Sequence, residues 1–376
     1  MLKNSGQNTV GAAQQPERFY FLDAMRATLM VLGVVLHSAE VFNPEHSWLI
    51  YSQNTSWLMT DLIDVIHTFR MPAFFVVSGF FCVLTFRKYQ FSTFILVRFK
   101  RLAIPFFFTA LTVNTVQALI LNQSHWQYFE VMPYLHEGQY ISHLWFLVVL
   151  LIYFLVTAIG FAIFRPVSKP WVTAMNTVLA RLPVSVLLFL LPVLSLEFLS
   201  LNKIGVPIYS NVYGLIDTYE LIHYLPYFLF GLILASEPRF FQRFCQYKLS
   251  VALTAILITS LLAANIIPDS HLTTKIISVY LKELTVWMAI TLCFGLFYRF
   301  LNAPSRRILF LSDASYTVYL FHHVFVIAIG LLLINLNVPA IIGFCILVTT
   351  VSIISFLIHR QIISRQRLAA FAFNGK

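Results

Sequence analysis

Ten stretches of predominantly apolar residues, each about long enough to cross a lipid bilayer, divide this chain. They fall at 19–42, 66–86, 102–121, 143–164, 184–201, 221–236, 249–267, 284–301, 309–334 and 339–358. A helix needs about 20 such residues to pass through the hydrocarbon. Backbone polar groups cannot stay unpaired in lipid, so runs of this kind are helices. The sixth is short and holds Pro226, which blurs its edges. Only 11% of the residues are charged, against about 25% in a soluble domain, too few to cover a water-facing surface. The predicted fold is therefore all-α: a polytopic membrane helix bundle of about ten transmembrane helices. With no internal repeat or low-complexity linker, residues 19–358 read as one transmembrane domain. A tail over 1–18 precedes it and a basic tail over 359–376 follows. Residues 1–18 are polar and lack the apolar core and cleavage site of a signal peptide, so the first span is expected to stay.

The basic residues give the spans a direction. The net charge of +10 would suit nucleic acid in a soluble protein, but here the cations sit in short loops between apolar runs. Arg18, Arg98, Arg101, Arg181, Arg243, Arg306 and Arg360 exemplify one set of alternating segments, which holds twenty of the 25 Lys and Arg residues. The other loops hold only Lys203, Lys275 and Lys282. Cytoplasmic loops carry the excess of Lys and Arg, so both termini are expected on the cytoplasmic side of a bacterial inner membrane. The cations read as topology determinants facing a lipid bilayer, and no nucleic acid partner is expected. Cys82, Cys245, Cys293 and Cys345 are scattered without CxxC or His/Cys spacing. They read as packing residues, and no metal site is expected.

Arg26 and Arg70 lie inside spans, where ionisable groups are costly and mark function by default. Arg26 and His37 are eleven residues apart on the first span. At 3.6 residues per turn they lie only about 20° apart in azimuth and roughly 16 Å apart in depth. Asp23 falls near the same stripe. The structural alternative for Asp23 and Arg26 is an interfacial salt bridge with a snorkelling Arg26. For His37 it is a packed, hydrogen-bonded imidazole. On the second span His67 and Arg70 share a face. The fourth span opens with His143-Leu-Trp145, the sixth with Glu220-Leu-Ile-His223, and the ninth carries Ser315, Tyr316, Tyr319 and the His322-His323 doublet. These histidines all map to the outer half of the membrane, where interfacial packing is the competing account. A neutral imidazole is the usual general base, and a buried Arg binds a phosphate or steadies an oxyanion. No Gly-rich phosphate loop, GxSxG elbow or HExxH is present.

Four stretches in order resemble the acyltransferase family 3 membrane proteins. They are Arg26-X10-His37, the run from Phe69-Arg70-Met71-Pro72 through Ser78-Gly79-Phe80, Arg98-Phe-Lys-Arg101 running to Pro105-Phe106, and Ser315-Tyr316-Thr-Val-Tyr319-Leu-Phe-His322. The resemblance covers about residues 18 to 360. It implies a cytoplasmic acyl-CoA donor, no tightly bound cofactor, and a carbohydrate acceptor on the periplasmic side. Phe19-Tyr-Phe-Leu-Asp23-Ala-Met-Arg26, Ile66-His67-Thr-Phe-Arg70-Met and Ser142-His143-Leu-Trp145-Phe146-Leu are similar to members that move a succinyl group to an osmoregulated periplasmic glucan. On this resemblance His37 is the catalytic base, Arg26 holds the donor and Arg70 orients the reacting groups. Arg98 and Arg101 meet CoA phosphates, unless they are topology charges only. Asp23, His67, Ser78, His143, Trp145, Ser315, Tyr316 and His322 support the site. The competing class is a transporter or flippase, which broken helices and midplane polar groups would also suit. It predicts an internal repeat, which is not visible. A sensor or scaffold would need extramembrane domains, and the loops and tails are too short to form one.

Overall fold

The computed structural model describes residues 18–164, 177–196, 205, 208–212, 214–266 and 271–376. Most of the expected tail 1–18, the basic residues Lys3, Arg165, Lys169 and Lys203, and the ends of the fifth and seventh expected spans lie outside the described residues.

Helices dominate. The chain runs through α1 (Tyr20–Glu40), α2 (Trp57–Lys88), α3 (Phe91–Leu111), α4 (Val113–Gln123), the short α5 (Val131–His136), a 3-10 turn (Ser142–Leu144) and α6 (Trp145–Phe164). Then come α7 (Val184–Leu190) with a 3-10 extension to Leu196, α8 (Thr218–His223), α9 (Leu225–Ser236), α10 (Pro238–Cys245), α11 (Leu249–Asn265), α12 (Leu272–Leu301), α13 (Arg306–Asn335) and α14 (Ala340–Ile358). A π-helical turn (His359–Ile363) and α15 (Arg367–Asn374) close the chain. One two-residue hairpin breaks the pattern: Asn211–Val212 pairs antiparallel with Ile216–Asp217.

Among the described residues eight helical stretches are long and apolar enough to cross a membrane, or nine if the bent α10–α11 pair counts as one span. That pair turns by 69° because Gln246-Tyr-Lys248 interrupts the helical ladder between two apolar segments. The fifth expected span appears as the shorter apolar helix Val184–Leu196. Outward faces are apolar, as lipid requires: Leu253, Leu257 and Leu261 on α11 and Ile342, Ile346 and Ile353 on α14 are all exposed. Of the cysteines, Cys82, Cys245 and Cys293 are buried and Cys345 is exposed, so only three pack within the protein.

Helix α1 is central, packed against α2, α12, α13 and α14. Against α2 lies α9, and there the backbones touch. A β-carbon at Gly79 would collide with the Phe228 carbonyl, and one at Gly231 with the Val76 carbonyl. Small residues are what allow helices to approach this closely in a membrane. The segment expected as a basic tail folds back instead. The Phe373 ring meets that of Phe321 at 4.9 Å between centroids, tilted by 54°, the Asn374 side chain is buried and hydrogen-bonded to Thr317, and the Lys376 ammonium pairs with Asp313.

Candidate active site

The candidate residues separate into two cavities that meet inside the bundle. Helices α1, α2 and α13 each line both. The face of α1 presents Arg26 and Met30 to the first cavity and Met30 and His37 to the second. The face of α2 descends from Arg70 through Phe74 to Ser78 and Phe81, at spacings of three and four. That of α13 runs from Ser312, Ser315 and Tyr316 to Tyr319, His322 and His323. The periodicity of 3.6 puts each set on one side of its helix.

The first cavity, about 300 Å³, is basic. Arg18, Arg26, Arg98, Arg101 and Lys376 line it, with Asp313 as the acid on its wall. Arg26 donates to Ser312 Oγ at 2.9 Å and stands 3.6 Å from Asp23. Asp23 also accepts from Arg18 Nε at 2.9 Å. The ion pair foreseen as the structural alternative is thus present, yet Arg26 Nε has no partner. Arg98 donates to the Phe81 carbonyl at 2.9 Å and to Thr85 Oγ1 at 2.5 Å, with its guanidinium 4.3 Å from the Phe154 ring centroid. Tyr316 donates to the Arg101 carbonyl at 3.0 Å and so ties α13 to α3. A water-accessible mouth with this charge attracts anions, phosphate above all.

The second cavity, about 480 Å³, holds the histidines. His37, Arg70, His143, Trp145 and His322 line it, and His67 stands at its rim with a largely exposed ring, 3.9 Å from Glu40. The imidazoles touch. His37 is 5.4 Å from His322 and 4.8 Å from His323, and His143 stacks on His323 at 4.7 Å, between ring centroids. Trp48 stacks on His37 at 5.4 Å.

Hydrogen bonds set the ring orientations. Carbonyl oxygens only accept, so His322 Nδ1–H donates to Tyr319 at 2.7 Å and Val318 at 3.1 Å. Nε2 therefore carries the lone pair in the neutral ring. His323 Nδ1–H donates to Gln117 Oε1 at 2.7 Å. Tyr319 donates to the His143 carbonyl at 2.6 Å, fixing the turn before α6. Among the buried atoms with no protein partner, five on four basic side chains of this cavity stand out: His37 Nδ1, Arg70 Nη1, His322 Nε2 and both nitrogens of His143. Buried polar atoms are nearly always paired, and here five that are not line one cavity. Gly33, one turn below His37, marks where they converge. A β-carbon there would stand 3.2 Å from Arg70 Nη1 and 3.3 Å from His322 Nε2. Among the described residues no group of His, Cys, Asp and Glu has a metal-holding arrangement.

The expected trio is thus divided. His37 and Arg70 share the histidine cavity, while Arg26 lies in the basic one with Arg98, Arg101, Ser78, Ser315 and Tyr316. The cavities meet at Met30, Phe74 and Phe146, which line both. Reading the sequence alone left Gly33, Trp48, Gln117, Glu220, Tyr224 and His323 outside the candidate set. Of these, Glu220 at the head of the sixth span, Trp48 as an aromatic residue of the first outer loop and His323 as half of a histidine doublet carried a signal.

The model of a family described as acyltransferase domain matches residues 19–360. The chain belongs to this acyltransferase family. Proteins named glucans biosynthesis protein C from Salmonella paratyphi A, Salmonella agona and Salmonella heidelberg are each 31% identical to it over 386 aligned residues. That alignment spans 96% of this chain and 95% of the relative. No solved structure matches. The chain is thus a membrane acyltransferase by family, and both of its connected cavities lie within the matched span apart from Arg18, Asn374 and Lys376.

Proposed function

We propose that this protein is an O-acyltransferase that passes an acyl group from acyl-CoA, entering at the basic cavity, to a hydroxyl of a carbohydrate arriving at the histidine cavity. The observation that carries the reading is the meeting of an anion-binding mouth and a cavity of unpartnered bases across Met30, Phe74 and Phe146. Donor phosphates pair with Arg98, Arg101 and Arg26, and the thioester reaches past the aromatic neck. His37 takes the proton of the acceptor hydroxyl as its oxygen attacks the thioester carbon. The carbon–sulfur bond breaks, the proton returns to the thiolate, and an ester and free CoA leave. The free Nη1 of Arg70 faces the charge that develops on the carbonyl oxygen.

The distribution of basic residues supports a cytoplasmic donor side and a periplasmic acceptor side. The named relatives support a glucan as acceptor. A succinyl donor suits Arg70, because its free carboxylate would form a charge-assisted pair in a cavity that has no other Lys or Arg among the described residues. The test is mass spectrometry of envelope glucans from cells carrying the wild-type gene or His37→Ala. Ester mass should fall by about 10² or more, the contribution of a positioned base, at equal protein level. Unchanged ester would remove His37 from the reaction.

A further inference from the structure

The histidine cavity adjoins a third one, of about 320 Å³. The two share Leu49, Ser142, Trp145 and Glu220, and the third shares no lining residue with the basic cavity. We propose that this vestibule is the acceptor subsite and that it selects a neutral sugar over an anionic one. This rests on the transfer reading above and adds which residues bind the acceptor and what charge it carries.

Charge is the first argument. Among the described residues no Lys or Arg lines the vestibule, whereas Glu137, Asp217 and Glu220 do. The basic cavity at the other end has the opposite character. An anionic ligand would be repelled here, while a polyol finds acceptors in the carboxylates and both donors and acceptors in the amides of Gln127 and Gln139. Trp145 supplies an aromatic face beside them.

Unpaired acceptors are the second. Asn114 is 1% exposed, and its Nδ2 donates to the Tyr140 and Ile141 carbonyls at 2.8 and 3.2 Å, which holds the amide in place. Its Oδ1 is left buried without a partner, and so is Glu220 Oε2. Two orphan acceptors call for hydroxyl donors from a ligand.

The third is that the wall is built rather than incidental. Gly138 and Gly214, at φ +72° and +67°, bring two loops backbone to backbone, where any side chain would collide. Ser142 holds φ +47°, an uncommon backbone for a residue with a β-carbon and a mark of functional strain. Its Oγ accepts from Gln117 Nε2 at 3.3 Å, and Gln117 Oε1 accepts from His323. A hydrogen-bonded chain thus joins the vestibule wall to the histidines.

The test uses the full chain in lipid nanodiscs, with a neutral glucose oligosaccharide and a phosphorylated form of it. Equilibrium binding of each sugar, acceptor KM, donor KM and thermal stability are measured for wild type, Glu220→Gln and Gln127→Ala. Glu220→Gln should raise the Kd and acceptor KM for the neutral sugar up to about tenfold, since a charge-assisted hydrogen bond becomes a neutral one and an acceptor oxygen becomes a donor, with donor KM and melting temperature unmoved. Gln127→Ala, on a loop outside the spans, should raise both roughly threefold and carries the test if the first variant folds poorly. Wild type should bind the phosphorylated sugar at least about tenfold more weakly. Neutral-sugar binding unchanged in both variants, a shift in donor KM instead, or equal binding of the two sugars would overturn the assignment. If wild type transfers no acyl group while Glu220→Gln still weakens sugar binding, the transfer reading fails and the vestibule stands.

Discussion

Gly33 sits where Arg70 Nη1 and His322 Nε2 come closest to α1, one turn from His37. Its missing side chain leaves space beside Arg70 Nη1, a donor for a carbonyl oxygen, and His322 Nε2, an acceptor for a hydroxyl. Gly33→Ala places a methyl group 3.2 Å from one and 3.3 Å from the other, so each must move by a few tenths of an ångström. Small misplacements of reacting groups are expensive: about 10²-fold for a full ångström. We expect kcat to fall about tenfold with melting temperature unchanged or raised, because alanine also favours the helix. Steady-state kinetics and thermal unfolding on one preparation check this. A full-activity Gly33→Ala enzyme would place the reacting carbonyl elsewhere.

At the level of helices, two predictions follow from close contacts. The α2–α9 crossing depends on Gly231 lying against the Val76 carbonyl. Gly231→Val should cost about 1–3 kcal/mol or more, as overpacking does, seen as a lower melting temperature in detergent with donor KM little changed. The neck between the cavities is set by Phe74 of α2 and Phe146 of α6 against Met30; on the proposed reading the thiol arm of CoA threads it, and Phe74 also lines the histidine cavity that takes the acyl group. Phe74→Leu keeps an apolar wall and widens it. The ratio of kcat/KM for an acyl-CoA one methylene longer to that for the native donor should rise about tenfold, the usual discrimination for a methylene. An unchanged ratio would mean the acyl chain takes another path.

For the whole molecule, the apolar runs carried most of the helical architecture. The Arg26–His37 face was legible because helical periodicity fixes azimuth within one helix, and both residues do face cavities. What periodicity cannot express is which helices become neighbours. Gln117 of α4 orienting His323 of α13 spans 206 residues of sequence, and nothing local marks it. The bend between α10 and α11 escaped because the apolar run starts at 249, beyond the break at residues 246–248, while α10, with Arg239 and Arg243, reads as a basic loop. The fold-back of residues 359–376 depends on single contacts, such as Phe373 on Phe321, that leave no pattern in composition. Gly33 matters by what it lacks, and a glycine in an apolar run has no distinguishing signature.

The division into a basic cavity and a histidine cavity makes one demand of the intact protein: donor and acceptor arrive from opposite faces. The direct measurement is transfer in sealed proteoliposomes, with radiolabelled acyl-CoA outside and a glucose oligosaccharide trapped within. The fraction of protein oriented with its basic cavity outward should move label onto the trapped sugar, and His37→Ala should lower that rate by about 10² or more. Label on the sugar only when both substrates share one side, or equal transfer by His37→Ala, would contradict the account.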